Sequence, residues 1–328
     1  MAAYDLICIG AGPTGLACAI EAKRAGMRAL VVDKAALCNS IFHYPVNMVF
    51  FTTPELLEIG DLPMVCAAEK PTRAEALKYY RRTTEHYGLE LRLFELVTAV
   101  HGQDGNFTVV TRTERGNEEK YSAKKIAVAT GYYDLPNLIG VPGEDLPTVS
   151  HYYTEPHEFW NQHVVIIGGK NSAADAALDL YRNGARVTIV HRQKDLGATI
   201  KYWVRPDIEN RIKAGQVQAL FETRVKEFRE GAVVVQNGAG ERVLPARQVF
   251  ALTGYHPDYA FIESLGVRLD PVTRKPSLDA KSLESNVPGI HLAGVVTGGR
   301  HTSEIFIENG RFHGKQIVSA LVECNAAG

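Results

Sequence analysis

The stretch Tyr4-Asp5-Leu6-Ile7-Cys8-Ile9-Gly10-Ala11-Gly12-Pro13-Thr14-Gly15 decides the fold. An apolar strand from Tyr4 to Ile9 must turn sharply into a helix. Gly10 and Gly12 allow the bend and let the backbone approach a pyrophosphate, while Gly15 lets helix and strand pack closely. The helix N-terminus aims unpaired N–H groups and the positive end of its dipole at the phosphates. That helix is expected from about Thr14 to Arg24, stopped by Gly26. The next apolar run, Arg28 to Val32, ends in Asp33, 18 residues after Gly15. A carboxylate there accepts hydrogen bonds from a ribose 2′-OH and repels a 2′-phosphate, so the site suits FAD or NAD rather than NADP.

The pattern returns as Gly168-Gly169-Lys170-Asn171-Ser172-Ala173. It follows a strand read from Val164 to Ile167 and opens a helix read from about Ala173 to Arg182 before Gly184. The next strand, Val187 to Val190, runs into His191-Arg192, with His191 18 residues after Ala173 and Lys194 just beyond. A planar, permanently charged guanidinium at that spot forks onto a 2′-phosphate, the NADPH version of the same unit. A single motif of this kind arises for packing reasons alone; two, each correctly flanked and ending in residues of opposite charge, specify two dinucleotides. They start 158 residues apart, which suits two domains. Lys170 replaces the glycine that normally admits the pyrophosphate: either the nucleotide sits farther out with the ammonium compensating, or NADPH binding is weakened. Lys201 and Trp203 are candidates for the rim of this site, with a solvated face the equal alternative.

Composition agrees with an ordinary globular chain. Of 328 residues, 45% are hydrophobic and 22% charged, and the length suggests about two domains. Lys plus Arg is 36 against 37 for Asp plus Glu, so no electrostatic footprint for nucleic acid or anionic membrane is present. No apolar run reaches the length of a membrane span, and the first strand begins at once, so a cytoplasmic protein is expected. The five cysteines, Cys8, Cys18, Cys38, Cys66 and Cys324, form no CxxC pair and have no metal-ligand spacing. Cys8 and Cys18 read as small core residues.

Between the two motifs, Pro71-Thr72 opens a helix from Arg73 to Tyr87, and a strand is expected around Leu91 to Val97. A hairpin is read with Asp104-Gly105 in its turn, Phe107 to Thr113 going out and Tyr121 to Ala129 coming back. It ends in Ala129-Thr130-Gly131, and Pro136, Pro142, Gly143 and Pro147 make the next stretch linker-like. After the second motif, Val217 to Phe221, Arg224 to Phe228, Ala232 to Gln236 and Gln248 to Leu252 read as a short meander leading to a return crossing at Thr253-Gly254. The reading is α/β with two Rossmann-like domains: a discontinuous FAD domain, 1–133 plus 254–328, enclosing an NADPH domain, 134–253. Near the end, Gly289 to Val295 reads as a buried strand and turn, followed by a helix from about Ser303 to Glu323 whose N-terminus suits the pyrimidine side of a flavin.

The paired motifs, the Ala129-Thr130-Gly131 crossing and the crossing near Gly254 resemble thioredoxin-reductase-type flavoproteins over nearly the whole chain. More closely, Gly131-Tyr132-Tyr133-Asp134-Leu135-Pro136-Asn137, Pro142-Gly143-Glu144-Asp145-Leu146-Pro147, the Gly-Gly-Lys-Asn-Ser-Ala form of the second motif, and Glu304-Ile305-Phe306-Ile307-Glu308-Asn309-Gly310-Arg311-Phe312-His313-Gly314 resemble the bacillithiol-disulfide reductases. The resemblance implies a homodimeric or higher-order, FAD-containing, NADPH-dependent oxidoreductase of thiol-disulfide homeostasis. It implies FAD held by Gly10, Gly12, Pro13, Thr14, Gly15, Asp33, Lys34, Ser40, Val97, Thr130, Gly131, Gly294, Val295, Glu304 and Ile305. NADPH would be held by Gly168, Gly169, Lys170, Asn171, Ser172, Ala173, His191 and Arg192.

The chain departs from these families at three places. It lacks the CxxC of thioredoxin reductases; Val295 stands where they carry an Asp that holds the ribityl chain; and Thr14 stands where bacillithiol-disulfide reductases typically show Cys. A threonine hydroxyl forms no mixed disulfide, so Thr14 reads equally as a hydrogen bond to FAD or as ordinary helix initiation. The expected function is hydride transfer from NADPH to flavin and on to a low-molecular-weight disulfide such as bacillithiol disulfide. A flavin reductase for ferredoxin or quinone, and an NADPH-binding redox sensor with little turnover, stay open.

Overall fold

The computed structural model describes residues 3–327, with side chains to 323. The chain divides into two compact units, one of residues 1–43, 47–135 and 255–328, the other of 44–46 and 136–254.

The first unit opens with β1 (Tyr4–Ile9), α1 (Pro13–Arg24) and β2 (Ala29–Val32), followed by the short α2 (Asn39–Phe42) and α3 (Arg73–Tyr87). Then come β3 (Glu90–Arg92), β4 (Glu95–Gln103), β5 (Asn106–Thr113) and β6 (Glu118–Val128). The strand expected over 91–97 is therefore two strands. Phe94, with φ of 58°, turns the chain between them, and this turn clamps Asp33: its N–H donates to Arg92 O at 2.9 Å and its carbonyl accepts from Glu95 N at 2.9 Å. The Asp104-Gly105 turn joins β4 to β5 and not β5 to β6, as the pairing of Gln103 with Asn106 shows, so a three-stranded meander replaces the expected hairpin. The far end of β6 pairs in parallel with β1.

In the second unit, β7 (Val149–Ser150), β8 (His163–Ile167), α4 (Asn171–Arg182), β9 (Arg186–Val190), α5 (Arg205–Lys213) and β10 (Gln218–Leu220) precede β11 (Arg224–Arg229), β12 (Ala232–Asn237), β13 (Gly240–Pro245) and β14 (Gln248–Ala251). The expected meander is corrected: β10 and β14 belong to a parallel five-stranded sheet in the order β10-β9-β8-β14-β7. The antiparallel sheet is β11-β12-β13. Its third strand, mostly exposed, has a polar sequence with little strand signature.

The chain then forms α6 (Tyr259–Ser264), β15 (Ile290–Leu292), α7 (Ile307–Gly310) and α8 (His313–Ala327). β15 pairs in parallel with β6, completing a seven-stranded sheet. The single helix expected over 303–323 is broken. Asn309 is the cause at its start: its Oδ1 accepts from Phe306 N at 2.8 Å and its Nδ2 donates to Glu304 O at 2.9 Å, taking the groups a helical ladder would use. Arg311 follows with hydrogen bonds to the carbonyls of Glu55 and Glu58, at 2.6 and 2.9 Å.

Helix α8 crosses α1 at Gly314, where a Cβ would stand 2.7 Å from Ala17 C and Cys18 N. Beneath that crossing, Cys8 and Cys18 are fully buried among the alanines of the same layer, as their core reading expects. Cys38 is also buried, whereas Cys66 is partly exposed; the side chain of Cys324 lies outside the described residues. No helix among the described residues is long and apolar enough to cross a membrane.

Candidate functional site

The glycines of the first motif divide by what surrounds them. Gly10 has φ of 115°, and a Cβ there would lie 2.3 Å from Ala129 O; one at Gly15 would lie 1.9 Å from Gly10 O. These two are demanded by strand and helix packing. Gly12 is different: a Cβ would meet nothing within 4 Å, and its φ of −77° and ψ of 174° suit any residue. Open space lies in front of the α1 N-terminus.

That N-terminus also lacks a cap. Helix α3 caps itself with Thr72 and Glu75. By contrast α1 has no side-chain cap and no acidic residue in its first turn, and α4 shares both features. Uncapped N–H groups at a helix start need another partner, and a phosphate supplies it.

Asp33 stands at the end of β2. Its Oδ2 accepts from Ala11 N at 2.6 Å and its Oδ1 from Ala35 N at 2.9 Å, which fixes the carboxylate against the motif's own loop. Burial raises its pKa, opposed by those two backbone bonds. A carboxylate accepts about four hydrogen bonds, so capacity remains for a ribose. Lys34 forms an ion pair with Asp134 at 2.9 Å. Cys38 lies under the same loop, donating its N–H to Ala11 O at 3.0 Å, and burial drives its thiol pKa far up.

At the end of β6, Thr130 Oγ1 is buried with no hydrogen-bond partner. An orphaned hydroxyl beside the motif, an uncapped helix and open space at Gly12 together fit a bound dinucleotide. Gly131, with φ of 73°, passes close to Ser40, whose Oγ would be 4.0 Å from a Cβ there. Val97 has its side chain in the core, at a bulge of β4, so only its backbone is available to a ligand.

Thr14 occupies a nest made by two glycines: its Oγ1 lies 3.0 Å from a Cβ built on Gly294 and 3.2 Å from one on Gly310. Gly294 and Val295 begin a 3-10 turn after β15. The Gly294 N–H donates to His313 Nδ1 at 2.9 Å, which fixes that imidazole's tautomer, and burial lowers its pKa. Sequence reasoning missed His313; a histidine at the first residue of a helix was its only signal. Glu304 is exposed and paired with Lys275 at 2.7 Å, while Ile305 packs near Gly298 and Gly310.

In the second motif, Gly168 has φ of 144° and faces Leu252 O. Gly169 lies under the ring of His191, where a Cβ would be 2.5 Å from Cδ2. Burial and the Arg192 charge lower the His191 pKa. Arg192 is exposed, with no hydrogen-bond or ion-pair partner among the described residues. Lys170 is extended and exposed at the start of α4, its Cγ 3.1 Å from a Cβ built on Gly197. The helix starts at Asn171 rather than Ala173, so Ser172 and Ala173 lie in its first turn. Asn171 bonds the 199–201 backbone with both side-chain atoms, and Lys201 pairs with Asp175 at 3.3 Å.

Comparison with known proteins gives consistent results. Residues 7–294 match the family model described as pyridine nucleotide-disulphide oxidoreductase. The chain is 42% identical over 318 residues to the bacilliredoxin reductase Bdr of Bacillus subtilis (strain 168), covering 97% of each. The solved bacillithiol disulfide reductase Bdr of Bacillus cereus superposes with a TM-score of 0.95 at 41% identity, covering 98% of this chain and 99% of that one. A thioredoxin reductase from T. acidophilum shares the fold, with a TM-score of 0.78 at 21% identity over 98% and 99% of the two chains. The two-Rossmann reading of the fold is borne out, and the length over which these matches run makes the chain an oxidoreductase of the bacillithiol-disulfide-reductase group within the pyridine nucleotide-disulphide oxidoreductase family.

Proposed function

We propose that the protein is an NADPH-dependent, FAD-containing reductase of a low-molecular-weight disulfide, with bacillithiol disulfide, the substrate named in its relatives, as the first candidate. One observation carries the reading: two uncapped Rossmann helices are followed by opposite signals, a carboxylate at Asp33 and the His191-Arg192 pair. FAD is assigned to the first unit and NADPH to the second. FAD, when bound, would supply the two-electron chemistry that links NADPH to a disulfide; the net reaction consumes NADPH, a proton and the disulfide, and yields NADP⁺ and two thiols.

The chain's own residues bind and orient. Asp33 holds the ribose of FAD, and the N–H groups of α1 with the Thr130 hydroxyl take its polar groups. Thr14 in its glycine nest carries no thiol, so the disulfide draws electrons without a mixed disulfide at that residue. Arg192 and His191 select the 2′-phosphate of NADPH, and the first turn of α4 takes its pyrophosphate. The names of the relatives about 40% identical favour this reading over a flavin reductase for ferredoxin or quinone. It also carries a cytoplasmic homodimer or higher homo-oligomer.

The test is direct. Purified protein should be yellow, release FAD on denaturation, and oxidise NADPH steadily when bacillithiol disulfide is added. A colourless protein that cannot be reconstituted with FAD overturns the assignment. Turnover with ferredoxin or quinone but none with disulfides replaces the substrate, and NADPH binding without turnover on any acceptor makes it a sensor.

A further inference from the structure

The segment 195–201 is pinned against the second motif by bonds that no ligand is needed to explain. Leu196 and Ile200 anchor it in the core of the second unit. Gly197 N donates to Gly169 O at 2.7 Å. Asn171, the first residue of α4, then clips the far end with its carboxamide: Nδ2 donates to Thr199 O at 3.0 Å, and Oδ1 accepts from Lys201 N at 3.0 Å. On the other flank the Arg205 guanidinium donates to Gly197 O at 2.6 Å.

A primary amide has two donor hydrogens and one acceptor oxygen. Asn171 uses both ends of that group on backbone, in the manner of a strand pairing with its neighbour. The segment thus stands beside the uncapped N–H groups of α4, and Lys170 packs over its Gly197. We propose that Asn171 is a positioning residue: its side chain does not touch the nucleotide but holds segment 195–201 as one wall of the pyrophosphate site. This rests on the reading that the second motif holds NADPH. The wall also accounts for the place Lys170 takes, because its stem packs over Gly197.

The consequence separates this wall from the discrimination at Arg192. Pyrophosphate is common to NADPH and NADH, so loosening the wall must raise KM for both nucleotides by the same factor. The test uses the full-length flavoprotein carrying Asn171→Ala or, at the other flank and off the motif, Arg205→Ala. Hydrogen exchange without nucleotide should accelerate over 197–201 in both variants. KM for NADPH and NADH should rise about tenfold in Asn171→Ala, for two hydrogen bonds lost, and by a smaller common factor in Arg205→Ala, with the change in KM rather than kcat.

A raised KM in Asn171→Ala with unchanged exchange over 197–201, and a silent Arg205→Ala, would mean that Asn171 touches the nucleotide directly, and overturns the proposal. So does faster exchange in both variants with KM unchanged. A wild-type protein whose exchange does not respond to saturating NADPH overturns the nucleotide assignment itself, and this inference with it.

Discussion

At the scale of single residues, position 12 separates what the fold needs from what the ligand needs. Gly10 and Gly15 are fixed by contacts below 2.5 Å that any Cβ would make, whereas Gly12 has ordinary dihedrals and open space. Gly12→Ala should therefore cost the FAD-free fold no more than about 1 kcal/mol, the scale of an N-cap change, while markedly reducing FAD retention. Thermal melting of the apoprotein beside the FAD content of purified protein reads both, and a normal FAD content would remove Gly12 from the site. Arg192 makes the matching case in the second unit. Charge-assisted bonds are worth about 1.5–3 kcal/mol, so Arg192→Ala should raise KM for NADPH roughly 10- to 100-fold and leave that for NADH nearly unchanged. Equal effects on both would remove it from the 2′-phosphate site.

At the scale of elements, the α1–α8 crossing depends on the missing side chain of Gly314. A methyl there lands 2.7 Å from α1 backbone, so Gly314→Ala should destabilise by about 1–3 kcal/mol through overpacking, measured by urea unfolding. β15 carries a pH dependence. His291 is buried, its Nδ1 bonds Ser282 O at 2.9 Å, and its Nε2 has no partner. Burial lowers its pKa below 6.5, opposed by Ser282 and Glu284, while Lys125 lowers it further and Asp104 raises it. The unfolded chain then binds more protons than the native one, so the neutral imidazole's contribution to stability is present above about pH 6.5 and is lost as pH falls through the lowered folded value. His291→Leu should flatten that part of the stability profile, and an unchanged slope would exclude His291 as its source. Both Rossmann units were legible to within two residues, because Gly10, Gly15 and Gly168 impose their turns by contact. What stayed illegible was mostly set by partners distant in sequence: the break at Phe94 follows from backbone pairing with Asp33, and the break after Gly310 coincides with the loop carbonyls that Arg311 reaches, while the late start of the helix is local, set by Asn309. Strand β13 had no apolar alternation to announce it. The places of Asp33 and Arg192 just after β2 and β9 could be read from spacing, but the two-sided use of the Asn171 amide could not, since its partners lie 28 and 30 residues on.

At the scale of the whole molecule, the question is whether electrons pass through a protein thiol. Cys8 and Cys18 are neighbours in one core layer, and the adjoining Cys18 thiol together with burial raises the Cys8 pKa. Cys38 is equally buried, with its thiol pKa far above neutrality. A thiol reacts as its thiolate, so groups held protonated and out of solvent are poor nucleophiles. Cys66 is partly exposed, yet its Sγ donates to Ala68 O at 2.9 Å within its own loop. A chain with Thr14 in the motif should thus deliver electrons from flavin to acceptor without a thiol relay. Replacing all five cysteines with Ser or Ala, Cys324 included, should lower stability, because filling a core with smaller or polar groups costs roughly 1 kcal/mol or more per site. In folded, FAD-loaded protein it should leave NADPH-driven flavin reduction and turnover with a non-thiol acceptor largely intact. The decisive measurement is turnover of each single replacement with bacillithiol disulfide, normalised to bound FAD. If one replacement abolishes it while flavin reduction by NADPH persists, that cysteine is an obligatory intermediate and direct delivery from the flavin is wrong; if all five retain it, the flavin itself is the donor to the disulfide.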